Sequence, residues 1–207
     1  MNPRAVFRPQ SGLRCVLASA SPRRRDLLLQ IGLVPDRIDR PGVDETPSRG
    51  EVPRTYAARM ADAKADDVAP RHPGAFVLAA DTVVACGRRI LPKALEPAEA
   101  RLCLGLLSGR RHRVLGAVTL VRPDGARLRR LVATHVRFKR LSADELEAYL
   151  AAGEWRGKAG GYAIQGMAAA WVASLNGSYS NVVGLPLAEV HAMLAGSGFH
   201  YHVSDRP

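Results

Sequence analysis

Leu17-Ala-Ser-Ala-Ser-Pro-Arg-Arg-Arg-Asp-Leu-Leu28 is the stretch on which the reading of this chain turns. The apolar run Cys15–Ala18 predicts a buried strand. Ser21 then offers an N-cap, and Pro22 suits the first helical position. Arg23, Arg24 and Arg25 fill the first turn of the helix that follows. That end of a helix carries a partial positive charge, and each misplaced cation costs roughly 0.3–1 kcal/mol. A strand, a serine-rich turn and a cation-studded helix start therefore point to an anion site, phosphate first. Three solvated arginines on an exposed turn are the plainer alternative.

The remainder of the composition agrees with an anionic partner. The 207 residues carry a formal net charge of +11, with arginine far outnumbering lysine. Nucleic acid, nucleotide and acidic membrane are all candidates for such a chain. The basic residues are scattered rather than gathered in a tail, and aromatics make up only 5% of residues. No stacking platform for single strands is visible, so no nucleic-acid partner is expected. The chain is 47% hydrophobic, enough for a sizeable core. Cys15, Cys86 and Cys103 form no Cys-x-x-Cys pair, which points to a reducing, cytoplasmic setting. Ala18-Ser19-Ala20 imitates a signal-peptidase site, but the apolar run before it falls short of the ~7–15 residues of a secretory core. Arg4, Arg8 and Arg14 imitate a transit peptide, against which Pro3 and Pro9 argue. No segment approaches the ~20 apolar residues of a membrane span.

Along the chain, the first helix is predicted to continue from Pro22 through Asp26 to Ile31, and further helices from Thr55 to Ala69, from Pro97 with Leu102, Leu106 and Leu107 inward, from Ser142 through Leu150, and from Leu185 to Leu194. Strands are predicted over 75–85, 113–121, 127–140 and 171–175. Pro123-Asp-Gly125 joins the middle two as a hairpin, and Asn176-Gly177 marks a turn. Ser142 and Glu145 form a capping box. His200 and His202 read as tail residues. Helices alternate with strands early and a hairpin sits in the middle, which argues for an α/β fold with a mixed sheet.

Asp81 interrupts the apolar run Phe76-Val-Leu-Ala-Ala-Asp-Thr-Val-Val-Ala85. A buried carboxylate needs a metal, a lysine or a catalytic use to offset its desolvation. The other reading ends the strand at Ala80 and lets Asp81 cap a turn. Asp44 and Glu45 lie in a loop flanked by glycine and proline. With Asp81 they could hold Mg²⁺, which takes one or two carboxylates plus substrate phosphates. An ordinary solvated acidic loop is the simpler reading of those two residues alone. Lys64 and Lys93 are either phosphate ligands or surface lysines. Lys158 stands out beside Gly160-Gly161, because glycines let a backbone approach a ligand closely. The chain has no P-loop, no Gly-x-Gly-x-x-Gly and no His-Glu-x-x-His.

Four blocks together resemble the Maf family of nucleoside triphosphate pyrophosphatases: Ser19-Ala-Ser-Pro-Arg-Arg24, Val43-Asp-Glu45, Ala80-Asp-Thr82 and Lys158-Ala-Gly-Gly-Tyr-Ala-Ile-Gln-Gly166. Asn176-Gly-Ser-Tyr-Ser-Asn-Val-Val-Gly-Leu-Pro-Leu187 is similar to the family's C-terminal signature. The blocks keep the family's order and span the chain after its first dozen residues, which have no counterpart there. The resemblance implies one domain over residues 1–207, with 1–12 as an extra N-terminal segment. It implies two lobes around a central cleft, as in inosine triphosphatases, with a mixed twisted sheet flanked by helices.

The activity it implies is hydrolysis of a nucleoside triphosphate to monophosphate and pyrophosphate with a divalent cation, Mg²⁺ or Mn²⁺. Asp81 takes the place of the family's general base and, with Glu45, of its metal ligands. Ser19, Arg24, Lys64, Lys93 and Lys158 fall among substrate-binding positions, and Arg23, Thr82 and Gln165 among those tied to substrate choice. An Arg-Arg pair with Ile-Gln-Gly is similar to the branch acting on dTTP and UTP, or on modified pyrimidine nucleotides. A cytoplasmic homodimer is implied as well. The chain departs from the pattern at Pro92-Lys93-Ala94, where many relatives carry Lys-Pro. A nucleotide-sensing regulator of cell division without catalysis is the competing class.

Overall fold

The first described strand has no local signal announcing it. The computed structural model describes residues 5–203, and β1 (Ala5–Pro9) pairs antiparallel with residues Phe199–Val203, almost the whole chain away. Phe7 is buried on this strand and stacks on His191 with ring centroids 4.7 Å apart. Burying an aromatic of this size contributes roughly 1.5–3 kcal/mol. The segment without a family counterpart therefore supplies part of the core. Pro3 and Arg4, weighed above for a transit peptide, lie outside the described residues.

β2 (Cys15–Ala18) is buried at all four positions, as its unbroken apolar run requires of an inner parallel strand. It leads into α1 (Pro22–Gln30), after which Gly32 takes a left-handed φ of 74° beside the Ala5 carbonyl. A short edge strand, β3 (Arg37–Asp39), follows, then α2 (Pro53–Val68). β4 (Phe76–Cys86) runs straight through Asp81, so that residue belongs to a continuous strand and does not cap a turn. β5 (Arg89–Leu91), β6 (Lys93–Ala94) and α3 (Pro97–Leu107) come next.

α3 corrects the expected inward face. Ala100, Cys103, Leu104 and Leu107 are buried, whereas Leu102 is 70% exposed. The i, i+3, i+4, i+7 spacing selects the buried set, small residues included. β7 (Arg111–Val121) and β8 (Arg127–Phe138) form the expected hairpin. α4 (Ala143–Ala152) opens on the reciprocal Ser142–Glu145 capping box. β9 (Lys158–Ala159), β10 (Val172–Asn176), α5 (Tyr179–Val183), α6 (Leu187–Ala195) and β11 (Phe199–Val203) complete the chain. His200 and His202 thus lie in a strand, not a tail.

The central sheet is mixed, in the order β10-β8-β7-β4-β2-β3, with β5 on the distal part of β4. β2 runs parallel to β3 and β4, and the other pairings are antiparallel. α2 covers one face through Met60, Ala61, Leu115 and Ala117. On the other face α1 and α6 cover one half through Leu28, Leu78 and Val190. α3, α4 and the loop after it cover the far half through Leu104, Phe138, Tyr149 and Trp171. The cleft opens between those halves.

Candidate active site

The cleft exists because β4 changes neighbours. Its first part pairs with β2 as far as Ala18↔Ala79, and its last part pairs with β5 from Val84↔Leu91 onward. Ala80 to Val83 therefore face an opening at the carboxyl end of β2, the position where open α/β sheets take ligands. The space holds about 560 Å³. Asp81 and Thr82 stand at its floor, one facing α2 and the other facing α1, because successive strand residues alternate.

Ser19 and Arg24 organise the near wall. The Ser21 side chain makes no cap bond. Ser19 Oγ instead accepts from the Ser21 N–H (3.1 Å) and from Arg24 Nη1 (3.1 Å). Arg24 is buried; its Nε donates to Gly184 O (2.9 Å) and its Nη2 to Thr82 Oγ1 (3.2 Å). Thr82 Oγ1 in turn donates to Gly184 O (3.2 Å). Arg23 Nε donates to Val183 O (3.3 Å), while Arg25 points away toward Asp26. Two backbone carbonyls thus hold cations at the helix end that repels them. Burial lowers both guanidinium pKa values, with Asp81 opposing the drop at Arg24.

Those carbonyls are delivered by the C-terminal signature. Asn181 is buried and donates to Val114 O (3.1 Å) and Thr134 Oγ1 (3.0 Å). Its Oδ1 occupies the space over Gly116, where a Cβ would come within 1.8 Å. Gly116 is the register partner of Thr82. A glycine there lets α5 sit close enough on the sheet for Gly184 O to meet Thr82 and Arg24.

On the α2 side, Lys64 Nζ donates to Asp81 Oδ1 (2.6 Å) and to Glu45 Oε1 (2.7 Å). Lys64 is only 3% exposed and Asp81 4%, so each needs the other. Glu45 also accepts from Lys93, and the Tyr56 hydroxyl donates to the Glu45 carbonyl (2.6 Å). Burial pushes the Glu45 carboxyl up, but Lys64 and then Lys93 outweigh it and hold the group at about 2. Asp44 stays outside the cluster; its Oδ1 accepts from the Thr46 N–H in an exposed turn. Asp81 Oδ2 accepts no hydrogen bond from the described residues and is left for a ligand in the cleft.

The far wall comes from a two-stranded ribbon. β6 and β9 pair with Lys93 opposite Ala159 and Ala94 opposite Lys158, so both lysines meet the cleft through a pairing of segments far apart in sequence. Burial lowers the Lys158 pKa, and Arg23 lowers it further. Gln165 lies exposed on the rim, with no intramolecular side-chain bond among the described residues. Asp44 and Arg25 aside, the residues singled out from the sequence line this one space: Ser19, Arg23, Arg24, Glu45, Lys64, Asp81, Thr82, Lys93, Lys158 and Gln165. Three of the chain's four lysines are among them.

Sequence reasoning missed Arg40, which also lines the cleft, along with the Val183 and Gly184 carbonyls. Arg40 follows a strand too short to signal itself. Six cationic side chains (Arg23, Arg24, Arg40, Lys64, Lys93 and Lys158) face two carboxylates, a balance of +4.

Comparisons with known proteins place the chain in a family. The Maf-like protein family matches residues 14–197. A dTTP/UTP pyrophosphatase of Rhodospirillum rubrum is 66% identical over 184 residues, covering 89% of this chain and 88% of the relative. A dTTP/UTP pyrophosphatase of Caulobacter vibrioides is 58% identical over 189 residues, 91% of this chain and 98% of the relative. Among solved structures, a nucleoside-triphosphatase / dITP/XTP pyrophosphatase from Mycobacterium abscessus is 20% identical, with a TM-score of 0.41 over 63% of this chain and 75% of its own. With a profile match over most of its length and relatives this similar, the chain belongs to the Maf family.

Proposed function

We propose that this chain hydrolyses nucleoside triphosphates, dTTP and UTP or their modified pyrimidine counterparts, to the monophosphate and pyrophosphate. The observation that carries the reading is the meeting of the Arg23–Arg24 turn with the Asp81 carboxylate in one cleft whose charge balance is +4. A triphosphate brings about four negative charges, and arginine and lysine at this density neutralise them. The names of the relatives from Rhodospirillum rubrum and Caulobacter vibrioides support the pyrimidine assignment.

Asp81 is the proposed general base. Its Oδ2 takes a proton from water as that water attacks the α-phosphorus. The bond to the bridging oxygen breaks and pyrophosphate leaves toward Arg23, Lys93 and Lys158. Lys64 fixes the Asp81 carboxylate through Oδ1. Gln165, with a donor and an acceptor on one amide, faces the base.

The donor set fits a divalent ion held mainly by substrate. Glu45 and Asp81 converge on the Lys64 ammonium, and the described residues contain no cluster of three or more His, Cys, Asp or Glu side chains. Two carboxylates without a full protein cage suit Mg²⁺, which keeps waters and phosphate oxygens as ligands. Such an ion would supply charge stabilisation at the leaving phosphates. The same reading places the enzyme in the cytoplasm as a homodimer; no described helix is long and apolar enough to cross a membrane.

The test is a panel of nucleoside triphosphates with product identification, run with Mg²⁺, with Mn²⁺ and with chelator. Pyrophosphate from dTTP and UTP, abolished by chelator, is the expected result. Orthophosphate as the product, or turnover of purine substrates alone, would sink the proposal.

A further inference from the structure

Gln165 reaches the cleft from a turn whose shape is set by two residues that do not line that cleft. Ala163 to Gly166 is a tight turn closed by the Gly166 N–H on Ala163 O (3.1 Å). Upstream, the Ala163 N–H donates to the Tyr149 hydroxyl (2.9 Å), and Tyr149 is fully buried on α4. Downstream, the Met167 N–H donates to Glu154 Oε2 (2.9 Å). The same carboxylate fills the space over Gly166, where a Cβ would stand 1.9 Å from Oε2. Ile164, between the tethers, is buried in the aromatic core of that half. Gln165 is thus clamped two residues to either side, and neither Tyr149 nor Glu154 lines the cleft.

We infer that Tyr149 and Glu154 are positioning residues for base selectivity: they fix the Ala163–Met167 backbone so that the Gln165 amide meets the pyrimidine edge. The inference rests on the reading of this cleft as a pyrimidine triphosphate site. A clamp of this kind acts on binding of the base and not on attack at phosphorus some distance away. Its signature is a rise in KM with kcat preserved.

The experiment compares Tyr149→Phe, Glu154→Ala and Glu154→Gln in the full chain. KM and kcat are measured for dTTP, UTP and a purine triphosphate by pyrophosphate release. Tyr149→Phe and Glu154→Ala should each raise KM for the pyrimidines about tenfold, the scale of one hydrogen bond. Their kcat should stay within about twofold, and the pyrimidine-to-purine ratio of kcat/KM should fall. Glu154→Gln keeps an acceptor oxygen for the Met167 N–H and should restore the wild-type ratio. If Tyr149→Phe does not fold, the two Glu154 variants decide alone, since that side chain is only half-buried. An unchanged ratio in folded variants, or a fall in kcat at constant KM, overturns the clamp while the pyrophosphatase reading stands. A wild-type protein inert toward dTTP and UTP overturns the pyrophosphatase reading first and the clamp with it.

Discussion

The two ends of the cleft are built by opposite means. At the proposed phosphate end, charges are held by other charges: Lys64 lies between Asp81 and Glu45, and Lys93 braces Glu45. At the proposed base end, a neutral amide is held by main-chain tethers to Tyr149 and Glu154. The difference matches what each end would meet under the proposed function. A polyphosphate is recognised by field strength, which buried ionic groups supply only if each has a partner. A base is recognised by where a donor and an acceptor stand, which a clamped backbone sets with one buried hydroxyl and one half-buried carboxylate.

The contrast can be broken at several points. Asp81→Asn removes the proposed base and keeps the shape; turnover should fall by about 10²–10⁴-fold while circular dichroism stays native. Full turnover in that variant would move the chemistry elsewhere. Lys64→Met strips the buried carboxylate of its partner, and urea unfolding at pH 7 should show a loss of about 3–5 kcal/mol. A negligible loss would mean that Asp81 does not depend on charge pairing.

Gly116→Ala drives a Cβ into Asn181 Oδ1. It should cost about 1–3 kcal/mol as an overpacking change and raise KM by shifting the Gly184 carbonyl off Arg24. The smallest effect is the titration of Glu45. Its pKa is depressed from 4.5 to about 2 in the fold, so its contribution is fully present above pH 4.5 and is lost as pH falls toward 2. Because the group is partly solvated, that contribution is about 1 kcal/mol. Glu45→Gln should flatten the pH dependence of unfolding in that window and leave the rest of the curve alone.

How far these ends were legible from sequence differs in the same way. Asp81 betrays itself by interrupting an apolar strand, and Lys64 proves to be the kind of partner such a carboxylate demands. The Arg23–Arg24 turn is visible because cations at a helix start are costly. The hairpin and the Ser142 cap follow from local turn and capping chemistry. Gln165 could be tied to the base only through family resemblance. Nothing local shows that Tyr149 and Glu154 reach its turn, because that contact depends on how α4 packs. Leu102 has the size of a core residue but stands off the spacing that faces inward, so it is exposed. β1 and β11 left no trace in the sequence, since each becomes a strand only by meeting the other.

That last pairing has an engineering consequence. Ala5 and Val203 are register partners, so a short loop joining the strands would turn them into an ordinary hairpin. The exposed Asp124–Gly125 tip of the β7–β8 turn, remote from the cleft lining, is then a natural place for new termini. A circularly permuted chain cut there would keep the cationic cleft whole while reversing the order in which its two halves leave the ribosome.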